Sequence, residues 1–160
     1  SSRYVRPLGA HCFRIMAGVA EGSEAQATYI KNLAWAAAQV PAQSLLIEPI
    51  NRGDIPGYFL HDFDRAAAIL SEINAPNLRL LFDAYHAAKI TGDVNATWTA
   101  MRDVTAHVQV AQTPDRSEPD IGEIDYPAFF ERLGVDGYTG WISGEYRPRG
   151  ETAAGCQWVT

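Results

Sequence analysis

Glu48, Asp83, Gln109 and Glu145 each stand at the end of a short strand-like run. The runs read Leu45-Leu46-Ile47-Glu48, Leu80-Leu81-Phe82-Asp83, His107-Val108-Gln109 and Trp141-Ile142-Ser143-Gly144-Glu145. Carboxylate and amide oxygens bind hard divalent cations, and carboxylates also carry protons. A lone Glu at a strand end equally well caps the next turn or pairs with a nearby arginine such as Arg52 or Arg147. Recurrence on three strands points elsewhere, because like charges gathered at one place repel unless a cation or a shared proton joins them. Oxygen donors without cysteine favour Mg²⁺ or Mn²⁺, with Co²⁺ and Zn²⁺ still compatible. Gln109, as a neutral amide, lowers the negative charge of such a site; the alternative is a buried amide satisfied by backbone.

Other polar residues are candidates for substrate contact. His86 follows Asp83 by three positions in Phe82-Asp83-Ala84-Tyr85-His86. It could be a ligand, a proton carrier or a hydrogen-bond donor to substrate, although a lone histidine is more often structural. Arg116 has the planar fork that grips a carboxylate bidentately, while exposed loop arginines are commonly solvated; Lys89 and Arg147 are weaker candidates. His107 opens its run and reads as structural.

Elements long enough to bring these groups together lie between them. The intervals of roughly 25 to 35 residues each hold a loop, a helix and a return loop, as in a βαβ unit. Strands are expected at Cys12–Met16, Ser44–Glu48, Leu78–Asp83, His107–Ala111 and Gly140–Gly144. Ser23, Asp62, Asp93 and Asp125 stand at N-cap positions of helices, with Pro127 in the first turn of the last. Inward faces are expected at Tyr29, Ile30, Leu33, Ala34 and Ala37; at Phe63, Ala67, Leu70 and Ile73; and at Phe130 and Leu133. The alternation implies an α/β architecture with a parallel sheet, in one domain over residues 1–160. In parallel barrels the C-terminal strand ends form one rim, where such enzymes place their chemistry.

Composition narrows the function. The 160 residues are 47% hydrophobic, enough for a core, and the net charge of −6 opposes a nucleic-acid partner. No apolar run suits a membrane span. Cys12 and Cys156 lack metal-type spacing, and a reduced, cytoplasmic location is expected.

Several segments together resemble the hydroxypyruvate isomerases of the xylose-isomerase-like barrel superfamily. They are Ile47-Glu48-Pro49-Ile50-Asn51 with Asp54-Ile55-Pro56-Gly57, Phe82-Asp83-Ala84-Tyr85-His86, and His107-Val108-Gln109-Val110-Ala111. Pro114-Asp115-Arg116-Ser117-Glu118-Pro119, Gly122-Glu123-Ile124-Asp125-Tyr126, Gly144-Glu145-Tyr146-Arg147-Pro148 and Gly155-Cys156-Gln157-Trp158 complete the set. The resemblance implies a (β/α)₈ TIM barrel of which this chain holds about five βα units, from the family's fourth strand to its eighth. It implies a divalent metal, Mg²⁺ or Mn²⁺, on Glu48, Asp83, Gln109 and Glu145, with Glu48 and Glu145 as the acid/base pair. His86 and Arg116 are then expected to contact a small hydroxy or oxo acid. Gln112, Asp125 and Cys156 depart from the family pattern without touching the metal positions.

A complete barrel of this kind needs about 250 residues. The first and last strands are therefore expected to present open edges, leaving the isolated chain poorly stable or homo-oligomeric and weakly active. The expected reaction interconverts hydroxypyruvate and 2-hydroxy-3-oxopropanoate through an enediolate. Rivals on the same scaffold are a 2-oxo-tetronate isomerase, a ketose 3-epimerase, and a metal-dependent endonuclease that would need further His and Asp ligands and a basic groove. A non-catalytic sugar-acid binder or an inactive remnant is the rival from a different class.

Overall fold

The computed structural model describes residue 7 and residues 9–159. Five parallel strands form one sheet in sequential order: β1 (Cys12–Arg14), β2 (Ser44–Ile47), β3 (Leu78–Asp83), β4 (Thr105–Val110) and β5 (Ile142–Gly144). The connecting helices are α1 (Gly22–Gln39), α2 (Phe63–Ile73), α3 (Ala84–Thr91), α4 (Val94–Met101) and α5 (Tyr126–Val135). With parallel crossovers of one hand and no reversal of strand order, every helix falls on the same face of the sheet. The sheet is thus a sector of a barrel, one face against helices and the other facing the barrel interior.

Alternation along the strands sorts the side chains between those faces. Leu45, Ile47, Leu80, Phe82, Val108 and Val110 belong to the buried core beneath the helices. Phe82 is its centre, with the rings of Trp98, Phe63 and Phe129 at 5.5, 5.7 and 6.0 Å. Their neighbours in sequence, Leu46, Leu81, Asp83, His107 and Gln109, turn to the interior. Register sets the heights: Arg14 pairs with Leu46, Ile47 with Leu80, Asp83 with Gln109, and Gln109 with Ser143.

Helix starts follow local chemistry. Asp62, Asp93 and Asp125 accept hydrogen bonds from Arg65 N, Ala96 N and Ala128 N, as their positions imply. Ser23 does not cap: α1 starts one residue earlier, after extended Glu21, without a side-chain cap. The α1 face uses Tyr29, Leu33 and Ala37, with Ala34 exposed and Ala36 half-buried in its place. On α2 the buried positions are Phe63, Ala66, Ile69 and Leu70, and on α5 Phe129 is buried more deeply than Phe130. β1 ends at Arg14, two residues short of Met16, and β4 begins at Thr105, so His107 lies within the strand. Its Nε2 is 2.8 Å from Ser143 Oγ on the neighbouring strand, a bond between strands.

Candidate active site

Asp83 is at once the last residue of β3 and the N-cap of α3. Its Oδ1 accepts from Tyr85 N at 2.9 Å, which leaves Oδ2 free to face the rim. Because the helix begins without a loop, His86 stands in its first turn, directly above the carboxylate. Glu48 follows β2 and is fully buried. One ligand atom from each of Glu48, Asp83 and His86 lies within 4.8 Å of the others. His86 Nε2 is 3.7 Å from both Glu48 Oε1 and Asp83 Oδ2.

Two arginines bind this cluster together. Arg116 Nη2 reaches Asp83 Oδ2 at 3.2 Å and Glu145 Oε2 at 3.1 Å, and its Nε donates to the Glu145 carbonyl at 3.2 Å. Its guanidinium also lies over the Tyr85 ring, 4.9 Å from the centroid. Arg116 adopts a left-handed φ of 59°, unusual for a side chain of this size. These contacts hold it there against that cost. Arg14, on the interior face of β1, is ion-paired with Glu48 Oε2 and lies 3.8 Å from Glu145 Oε2. Glu145, drawn to both guanidinium groups and 38% exposed at its side chain, stays outside the tight group of three. Gln109 is level with Asp83 on the adjacent strand.

The electrostatics follow from burial. Glu48 is pushed up to about 8, by burial first and then by the Asp83 charge, with Arg14 opposing. Asp83 rises to about 6, again by burial, with Arg116 opposing. Burial and the charge on Arg116 push His86 down to about 3, so its imidazole is neutral.

The donor set fits a hard divalent cation. Glu48 Oε1 and Gln109 Oε1 are buried and have no hydrogen-bond partner among the described residues. An orphaned buried oxygen is costly unless something cationic or protic meets it. Glu48 offers an oxygen within 4.8 Å of one from Asp83, and Gln109 stands level with Asp83 on the next strand, so the donors are oxygens of the kind hard divalent cations prefer.

The loop after β4 brings Arg116 in. Gln112 Oε1 accepts from Thr113 N and Ile124 N at 3.1 and 2.8 Å, and its Nε2 donates to the Ile124 carbonyl at 3.0 Å. This buried amide closes the loop. Gly122 is required beneath it, since a Cβ there would lie 2.0 Å from Gln112 Cγ. Asp125 keeps the capping function, and Cys156 is exposed and unpaired.

Four rim residues fall outside the sequence-based set: Arg14, Asn51, Asp54 and Tyr85. Asn51 and Asp54 come from the loop after Glu48. Asp54 receives the Tyr85 hydroxyl at 3.1 Å and lies 3.5 Å from Arg116 Nη1. Alternation along Cys12-Phe13-Arg14 placed a charge on the interior face of a short strand, a signal that could have marked Arg14.

Residues 2–160 match the family model described as the xylose isomerase-like TIM barrel. The chain belongs to that family. It is 44% identical to a 2-oxo-tetronate isomerase from Cupriavidus necator, over 98% of this chain and 62% of that protein. It is 34% identical to the hydroxypyruvate isomerase of Escherichia coli, over 98% of this chain and 63% of that one. A crystal structure described as an AP endonuclease, family 2, from Brucella melitensis superposes with a TM-score of 0.94 at 36% identity, covering 98% of this chain and 63% of that chain. A D-psicose 3-epimerase from Clostridium cellulolyticum, at 14% identity and a TM-score of 0.77 over 98% of this chain and 57% of its own, shares the fold. The five strands are therefore part of a xylose-isomerase-like barrel, and the chain spans a little over six-tenths of these curated relatives. Among the described residues no helix is long and apolar enough to cross a membrane.

Proposed function

We propose that this chain acts as an isomerase on a small hydroxy or oxo acid, interconverting hydroxypyruvate and 2-hydroxy-3-oxopropanoate. The observation that carries this is the convergence of buried Glu48, Asp83 and His86, with Glu145 tied to them through Arg116. Glu48, Asp83, Gln109 and Glu145 would hold Mg²⁺ or Mn²⁺, which when bound supplies positive charge to the substrate's carbonyl and hydroxyl oxygens.

Moving a carbonyl to the next carbon requires loss of a proton beside it. One of Glu48 and Glu145 removes the proton from the hydroxyl-bearing carbon; the C–H electron pair becomes the C=C bond of an enediolate, and the old carbonyl oxygen takes the charge. The same or the opposite Glu then gives a proton to the former carbonyl carbon, and the C=C electron pair forms the new C–H bond there while the carbonyl forms at the carbon first deprotonated. The hydroxyl proton passes to the other oxygen, so substrate and product are isomers with no net change. A base works best with a pKa near the working pH, and burial already lifts Glu48 into that region. Arg116 has the fork that fits the acid's carboxylate, and the half-buried stack on Tyr85 aims it.

The 44% identity to the Cupriavidus protein supports a second reading, the same chemistry on 2-oxo-tetronate. The net charge of −6 counsels against a nuclease. The test is conversion of both acids in ²H₂O with added Mn²⁺ or Mg²⁺. Deuterium should enter the product, and Glu145→Gln should abolish both conversion and exchange; unchanged exchange in that variant removes Glu145 from proton transfer.

A further inference from the structure

Asn51 and His86 form a buried pair, 4% and 1% exposed, that joins the loop after β2 to the first turn of α3. The Asn51 side-chain Nδ2 lies 2.8 Å from His86 Nδ1, and the Asn51 backbone N–H approaches the same nitrogen at 3.5 Å. The orientation of the amide is set independently: its Oδ1 accepts from Asp54 N at 3.0 Å, so Nδ2 must face the ring. An amide nitrogen and a peptide N–H are both donors without a lone pair to offer. His86 Nδ1 facing them is therefore the acceptor nitrogen, and in the neutral ring the proton sits on Nε2.

We propose that Asn51 is a positioning residue that locks His86 in the Nε2–H form, so that His86 enters the site as a hydrogen-bond donor and not as a metal ligand. The geometry otherwise invites the opposite conclusion, because Nε2 lies close to Glu48 and Asp83. A metal ligand, however, needs a lone pair on Nε2. That would put the proton on Nδ1, directly against the Asn51 donors, at the cost of a buried donor facing donors. The Nε2–H instead points into the gap bordered by Glu48 Oε1 and Asp83 Oδ2, where a substrate oxygen with developing negative charge would be met by a donor. That role toward substrate rests on the isomerase proposal above; the tautomer does not.

The test is nitrogen-detected NMR of protein labelled with ¹⁵N-histidine, in which His86, one of four histidines, is identified by its loss in His86→Gln. In the unaltered protein His86 should show a protonated Nε2 and an unprotonated Nδ1. Asn51→Asp replaces the side-chain donor by an acceptor and should move the proton to Nδ1, with kcat reduced by on the order of a hundred-fold or more and KM little changed. Mn²⁺ binding measured by calorimetry should survive His86→Gln within about ten-fold, while Glu48→Gln loses on the order of a hundred-fold or more. An Nδ1–H ring in the unaltered protein, an unchanged tautomer in Asn51→Asp, or equal loss of Mn²⁺ affinity in the two ligand-side variants would overturn the assignment. None of these readouts needs substrate to turn over.

Discussion

Replacing Glu48 by Gln should stabilise the metal-free protein at neutral pH while destroying its response to a cation. Glu48 is fully buried and its carboxyl is raised from 4.5 to about 8. In the unfolded chain the group is ionised above about 4.5, whereas in the folded chain it stays protonated until about 8. Between those limits the unfolded state binds fewer protons, so stability falls as pH rises. Each pH unit in that window costs about 1.4 kcal/mol. At pH 7 the accumulated cost is on the order of 3 kcal/mol, a figure that already includes the opposing pull of Arg14. Asp83, raised from 3.8 to about 6, adds to the same slope at its lower end. Glutamine has nearly the same shape and no charge to suppress, so Glu48→Gln should be more stable than the parent by on the order of 3 kcal/mol at pH 7 to 8 and nearly equal to it at pH 4.

The assay is urea denaturation followed by circular dichroism in a chelator, from pH 4 to 8, repeated with Mn²⁺. A cation present at about a hundred times its Kd should raise the parent's stability by about 2.7 kcal/mol, and Glu48→Gln much less. If the parent is more stable at pH 8 than at pH 5 without metal, or if Glu48→Gln is the weaker protein at pH 7, the burial argument for this carboxyl fails.

Arg116→Ala should raise KM for the acid substrate by on the order of ten- to a hundred-fold, the worth of one or two charge-assisted bonds, and steady-state kinetics on both candidate acids reads it. Tyr126→Phe should lower stability by about 1–3 kcal/mol in the same urea assay. The Tyr126 hydroxyl accepts from Ala111 N at 3.0 Å and donates to the Ala111 carbonyl at 2.6 Å, so its loss strands two buried backbone groups. Among the described residues β1 and β5 each have one strand neighbour, and Trp141 beside β5 is 82% exposed. Sedimentation velocity should therefore show concentration-dependent association of the 160-residue chain; a sharp monomer at all concentrations would argue against it.

The architecture was legible because local and global signals agree along most of the chain. Apolar runs with both faces buried gave β2 and β3, and aspartates just ahead of apolar stripes gave the starts of α2, α4 and α5. α3 was hidden, because Ala84-Tyr85-His86-Ala87-Ala88 drew notice as the flank of Asp83 rather than as a helix. Its C-terminal stop, Gly92 at φ 78°, sits only one residue before the Asp93 cap of the next helix, so the two helices merge in the sequence pattern. Burial on α1 and α2 departs from the expected stripe at some positions, with Ala66 and Ile69 buried on α2 where the spacing points to Ala67 and Ile73.

The rim divides along the same line. Glu48, Asp83, Gln109 and Glu145 stood out because each stands at or within one residue of a strand's C-terminal end, and strand ends in a parallel sheet share one edge whatever the exact register. Arg14 and Asn51 did not, because what matters about them is a partner 34 or 35 residues away. Arg14 meets Glu48 only because β1 pairs with β2 at Arg14↔Leu46, which puts the guanidinium two residues below the carboxylate on the same face. Asn51 meets His86 only because Asp83 starts α3 without a loop, which places the imidazole over the preceding strand's exit. Each of these contacts needs two elements docked at a particular height. Register is decided by the packing of the whole sheet, which no window of sequence contains. The oxygen donors are therefore read from where strands stop, whereas the groups that set their charge and protonation are read only from how the strands align.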